Sequence, residues 1–195
     1  MALLAVLLAC TGAAALATEA PAAEGEGAKA GEVVDYAKLL APDRSGEGVI
    51  ARTRRETTTY PYIERAQRLI AQGNLPEARK DLDVYLERDP DDLSARFTYG
   101  VLASSLGDSH AAVQAMTKVL EGRPGFGPAL LYRAVARQKD GDDAGALADY
   151  QAAAKSDVLT RADRAEALDS VAQVAVNLHQ NDVAPRRSTR SRRSP

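Results

Sequence analysis

The residues of this chain whose types suit nucleophilic, acid-base or metal chemistry are few. They are His110, His179, the single cysteine Cys10, and a run of carboxylates at Glu87, Asp89, Asp91 and Asp92. A structural or catalytic zinc takes three or four Cys, His or carboxylate ligands gathered in space. Two well-separated histidines and one cysteine do not supply such a set. A serine triad requires a histidine beside an activated serine, and the sequence contains no G-x-S-x-G, H-E-x-x-H or phosphate-loop pattern. Gly25, Gly27 and Gly31 have the wrong spacing for G-x-G-x-x-G, and no strand pattern precedes them. His110 falls at the start of one helical pattern and His179 at the end of another. The carboxylates surround Pro90, where a helix N-terminus favours negative charge. Capping explains these residues without catalysis, so the sequence predicts no enzyme, no cofactor and no metal site.

The elements that position side chains here repeat at a fixed interval. Gly73, Gly107 and Gly141 are 34 residues apart, as are Ala78, Ala112 and Ala146, and also Ala66, Gly100 and Ala134. Pro90 and Pro124 share the interval, as do Leu82, Met116 and Tyr150. Each glycine can adopt the left-handed conformation that ends a helix without a Cβ penalty, so the spacing predicts one chain reversal per unit. Small residues facing each other let two helix axes approach to the lower end of about 8–10 Å. Leu82, Leu86, Met116, Leu120, Leu147 and Tyr150 form the apolar stripe that neighbouring units would bury. Asn74 precedes Pro76 at a tolerated first-turn place, Asp108 and Ser109 cap one helix start, and Asp142 and Asp143 cap the next.

This pattern resembles the tetratricopeptide repeat: paired helices of 34-residue period, small residues at the crossing, alanine in the second helix and proline at the end. The resemblance covers residues 59 to about 160. Arg65, Arg96, Arg133 and Arg137 depart from it, standing where the family has apolar or aromatic residues, and Val158 stands where a third proline is due. Thr160 and Asp163 read as a capping box opening a further helix through Leu168, Val171, Val174 and Leu178, the first half of a fourth unit. The implied fold is all-α, a solenoid of about three and a half helix-turn-helix repeats over residues 59–184, with disordered termini.

Composition agrees with helices. Of 195 residues 45% are hydrophobic, but only 5% are aromatic and none is Trp, so a core must be built mainly from Ala, Leu and Val. A formal net charge of −2 argues against a globally electrostatic mode of nucleic-acid binding.

Outside the repeats the chain changes texture. Residues 1–17 carry no charge and read as a secretory signal ending at Ala15-Leu16-Ala17, shorter than the roughly 20 apolar residues of a membrane span. Leu7-Leu8-Ala9-Cys10 also resembles a lipoprotein signal, which would leave a lipid anchor on Cys10 as the sole membrane contact. Both routes predict export to the periplasm or cell envelope. Residues 18–58, rich in Ala, Glu, Gly and Pro, read as a low-complexity linker with a short helix at Glu32 to Leu40 that Pro42 stops. The tail at 185–195 holds Arg186, Arg187, Arg190, Arg192 and Arg193. It reads as a basic arm, a solvated end, or the product of a frame change.

In the tetratricopeptide family the first helices of successive repeats line a concave groove that holds a peptide or helix of another protein. Carried over by position, that groove is lined here by Tyr60, Ile63, Gln67, Ile70, Phe97, Val101, Ser104, Leu131, Val135 and Gln138. Family members that bind chaperones clamp a terminal carboxylate with Lys, Asn and Arg; Ile63, Gln67, Thr98, Pro128 and Tyr132 stand there instead. The resemblance therefore implies a non-enzymatic scaffold for a hydrophobic or amphipathic protein segment, with no nucleic-acid partner. The alternative is the N-terminal portion of a longer envelope protein.

Overall fold

A computed structural model describes residues 35–183. The predicted secretory or lipoprotein signal with Cys10, residues 18–34 of the predicted linker and the arginine tail lie outside the described residues. All regular structure among the described residues is helical: a 3-10 turn at Lys38–Leu40 and eight α-helices. These are α1 (Val49–Thr58), α2 (Tyr60–Ala71), α3 (Leu75–Arg88), α4 (Leu93–Ser105), α5 (Ser109–Gly122), α6 (Gly127–Lys139), α7 (Asp143–Ala153) and α8 (Arg161–Val183). The chain is all-α with adjacent helices packed in pairs: α2 on α3, α4 on α5, α6 on α7, and α8 against α7. Contacts of α3 with α4, α5 with α6, and α4 with α6 join one pair to the next.

The three predicted reversals share one geometry. Gly73, Gly107 and Gly141 have φ of 76°, 82° and 82°. Each donates its N–H back to the last turn, at Ile70, Ser104 and Gln138, while the next residue reaches Leu69, Ala103 and Arg137. This double bond pattern closes a helix end through a left-handed residue and satisfies carbonyls that would otherwise be orphaned. The following helices start on Asn74, Asp108 and Asp142. The Asp108 and Asp142 carboxylates accept from the N–H groups of Ala111 and Gly145 at 3.0 and 2.9 Å. Asn74 makes no such side-chain bond.

Small residues sit at the crossings as their spacing requires. Ala66, Ala78, Ala112, Ala134 and Ala146 are completely buried. A Cβ on Gly100 would lie 2.7 Å from Met116 Cε and 3.1 Å from Ala115 Cβ, so on α4 the Met116 side chain of α5 takes the space that a side chain at position 100 would need. Around these contacts Leu82, Leu102, Met116, Val119 and Val174 are fully buried. Removing such a side chain from water is worth roughly 1.5–3 kcal/mol. Both phenylalanines lie in the same core, where the Phe97 ring meets Phe126 at 5.8 Å and Tyr132 at 5.7 Å, both edge-to-face.

The arginines that break the apolar pattern all find acceptors. Arg65 pairs with buried Asp81 (Nε–Oδ2 2.5 Å). Arg133 and Arg137 pair with buried Asp149, and Arg96 donates to the Pro90 carbonyl at 2.7 Å. Two elements differ from expectation. Helix α1 lies inside the predicted linker, and none of its residues is buried, which is why no apolar periodicity announces it. Leu168, expected in the apolar run of α8, is exposed, whereas Val174 is buried and Val171 and Leu178 pack against the core.

Candidate functional site

The expected groove residues divide by burial. Tyr60 and Gln67 are exposed, and Ile63, Leu131, Val135 and Gln138 are half-buried. Ile63 and Gln67, with buried Ile70, line a cavity of about 270 Å³ between α2 and α4, together with Ser94 and Thr98. On α6, the Gln138 amide oxygen accepts from the Tyr150 hydroxyl at 3.2 Å. Arg55 places its guanidinium 6.0 Å from the centre of the Tyr60 ring.

Phe97, Val101 and Ser104 differ from the expectation that they face a partner. Phe97 and Val101 are 0% exposed and Ser104 is 3% exposed. Phe97 is enclosed by Phe126 and Tyr132, and a segment of the chain's own N-terminal region also lies against α4. Ile70 is buried as well, at the edge of the cavity.

That segment is what the spacing of residues did not signal. Tyr36 and Ala37 form a turn and Lys38–Leu40 a single 3-10 turn, in place of the described part of the longer helix expected at Glu32 to Leu40. Ala41 is extended (φ −56°, ψ 131°), as the residue before Pro42 prefers. Tyr36, Ala37 and Leu40 are buried. The Tyr36 ring stands edge-on to Phe126 at 6.5 Å, and its hydroxyl donates to the Asp163 carboxylate in a short hydrogen bond. The same oxygen accepts from the Thr160 N–H at 3.3 Å. Thr160 and Asp163 also form the predicted cap, with the Asp163 N–H donating to Thr160 Oγ1 at 3.1 Å. Arg123 donates to the Leu39 carbonyl, and Arg44 spans Asp89 at 2.6 Å and Asp92 at 3.2 Å. The segment thus crosses the N-terminal ends of α4, α6 and α8.

Electrostatics at this crossing favour neutral tyrosines. Burial, then the hydrogen bond to Asp163, pushes the Tyr36 hydroxyl up to about 12. Burial and a 2.7 Å hydrogen bond to Asp92 raise Tyr85 above its ordinary value as well. Asp92 is a junction: it accepts from the Ala95 N–H at 3.0 Å while it holds Tyr85 and Arg44. Asp108 is held below the usual carboxylate range, first by the Ala111 N–H and then by Arg79.

Among the described residues no group of three or more His, Cys, Asp or Glu is placed to hold a metal ion. His110 bonds Gln114 at 2.9 Å on an exposed helix face. No described helix is long and apolar enough to cross a membrane. Ile63 and Gln67 share their cavity with Asp35, Ala37 and Lys38 of the segment, whereas Leu131 and Val135 pack toward Ala146, Tyr150 and Val174. No family model matches this chain, and no curated protein matches it.

Proposed function

We propose that this chain is a non-enzymatic scaffold of the tetratricopeptide class, a stack of about three and a half helix pairs that holds a peptide or helix of a partner protein. Ile63, Gln67, Leu131, Val135 and Gln138 are the side chains that reach the partner, with Tyr60 at the rim. The partner belongs to the cell envelope, to which residues 1–17 direct the protein. One observation carries the reading. Tyr36, Ala37 and Leu40 are buried against α4 and the starts of α6 and α8, so that end of the stack accepts peptide chain.

The test is capture of a partner by the full chain and by Ile63→Glu and Val135→Glu, half-buried positions on the first helices of two pairs. Partner recovery is expected to fall at least about tenfold, the cost of one desolvated charge in an apolar contact. Helicity by circular dichroism should stay unchanged. Undiminished recovery would remove the groove assignment. Phe97→Glu is not a suitable probe, because a glutamate at a fully buried position would disrupt the fold.

A second reading, the N-terminal portion of a longer protein, draws on Leu168 and Val176, which are 55% and 50% exposed on α8. A further helix would cover such a face, and its absence from the purified chain predicts concentration-dependent association.

A further inference from the structure

We propose that Tyr36–Leu40 is a displaceable internal ligand, and that the partner which displaces it is a protein segment of the same chemistry: an aromatic residue with a hydrogen-bonding tip, followed four residues later by an aliphatic one. The inference rests on the peptide-scaffold reading and adds to it the identity of the ligand and a means of control.

Three observations support it. The segment is held by few residues: Tyr36, Ala37 and Leu40 are buried, while Lys38 and Leu39 are exposed. Its polar ties are non-covalent side-chain bonds to three places in the stack, from Tyr36 to Asp163, from Arg123 to the Leu39 carbonyl, and from Arg44 to Asp89 and Asp92.

The fit is also incomplete. Cavities of about 270 and 240 Å³ flank the segment, one toward α2 through Asp35, Ala37 and Lys38, the other toward the end of α5 through Leu39 to Pro42. Both clefts are open to solvent, so a ligand with larger side chains would fill them and bury apolar surface that the segment leaves in contact with water.

Finally, the stretch that follows the segment, residues 41–48, is exposed except at Arg44 and Glu47, so few contacts oppose its movement. Gly46 and Gly48 precede α1 with nothing within 4 Å of where a Cβ would stand. Helix α1 itself buries none of its residues. A short flexible tether gives the internal segment an effective concentration in the millimolar range. A partner then binds with its intrinsic affinity reduced by the fraction of chains that are open. Release would expose the Phe126 ring edge and the Thr160–Asp163 pair, which read the aromatic residue and its hydroxyl.

The experiment is fluorescence anisotropy of a labelled peptide with the sequence of residues 35–42, titrated with the full chain and with full-chain Tyr36→Ala/Leu40→Ala. The double variant is expected to bind the peptide at least about tenfold more tightly than the unaltered chain, because it lacks the competitor. Equal affinities, or binding to neither protein, would overturn the proposal. Full-chain Arg44→Ala keeps every apolar side chain of the segment and every residue that the peptide would meet, and cuts the segment's tie to Asp89 and Asp92. It is expected to move affinity in the same direction, and no change there counts against the proposal even if the first variant is unstable. Sedimentation showing that the unaltered chain dimerises and that Tyr36→Ala abolishes the dimer would place the segment on a second copy, and so overturn internal binding. Tight peptide binding by the variants without partner capture would sink the scaffold reading and leave this one standing; partner capture with unchanged peptide affinities would do the reverse.

Discussion

Arg133 meets Asp149 through two parallel bonds, Nε to Oδ2 at 2.8 Å and Nη2 to Oδ1 at 2.7 Å, across the facing surfaces of α6 and α7. Arg137 adds a third at 2.7 Å to the same carboxylate. Arg65 and Asp81 repeat the arrangement between α2 and α3, in the same register two intervals earlier. In the intervening pair Tyr99 and Ala115 stand at the equivalent places. No ion pair occupies the register there, and the Tyr99 hydroxyl accepts from Arg79 instead.

Removing the cations alone should be costly. The Asp149 side chain is 6% exposed, and Arg133→Met/Arg137→Met strands it without a partner. A loss of about 3–5 kcal/mol is expected in urea denaturation. Adding Asp149→Leu should recover most of it, since an apolar set of similar volume is close to neutral. Failure of the third substitution to restore stability would show that the carboxylate is not the source of the loss.

The helix caps rank by their bonds. Asp108→Ala and Asp142→Ala each remove an acceptor for a helix N–H and should cost about 1 kcal/mol. Asn74→Ala, whose side chain bonds no backbone N–H, should cost less. Asp92→Ala should exceed all three, because Tyr85 and Arg44 lose the same carboxylate. Thermal midpoints of the four variants check the order.

Two glycine substitutions separate backbone strain from steric exclusion. Gly107 has φ of 82° and open space around it, so Gly107→Ala carries only the cost of a left-handed alanine, roughly 1–2 kcal/mol. Gly107→Asn should cost less, since asparagine tolerates that region. Gly127 has no positive φ, but a Cβ there would lie 2.5 Å from Ser156 Cβ and 2.9 Å from Leu159 Cγ. Asparagine at position 127 should consequently be worse than alanine, the opposite order. Equal ranking at the two positions would contradict this division.

Alkaline titration reports on the crossing segment. Folding raises the Tyr36 hydroxyl to about 12 from an ordinary value near 10. Between those values the unfolded chain releases this proton first. The stabilisation is therefore complete below about pH 10 and is lost as pH rises through about 12. Ultraviolet difference titration should show one fewer late-ionising tyrosine in Tyr36→Phe. The stability of that variant should fall less steeply over the same range.

The helical pairing was legible in the sequence because it depends on local chemistry at fixed spacing. A glycine at positions 73, 107 and 141 can end a helix whatever surrounds it, an aspartate at 108 or 142 caps its own helix, and alanine at 66, 78, 112, 134 and 146 needs only a facing neighbour. The sequence also flagged Arg65 and Arg133 as breaks in the apolar pattern. It held no sign of their answer, because Asp81 and Asp149 lie on the opposite helix and look from their own neighbourhoods like ordinary surface carboxylates.

Tertiary structure decided which candidate groove residues reach solvent. Phe97, Val101 and Ser104 sit on the same helix face that periodicity assigns to the groove. Phe97 is covered by Phe126 and Tyr132, which lie on the neighbouring pair, and Val101 and Ser104 are buried with it. The contact of Tyr36 with Asp163 joins residues 127 positions apart, and it depends on where α8 begins relative to α6. Periodicity describes what each helix presents to its immediate neighbours. A loop or turn laid across several helix ends follows no period, so only the assembled fold determines where it lands.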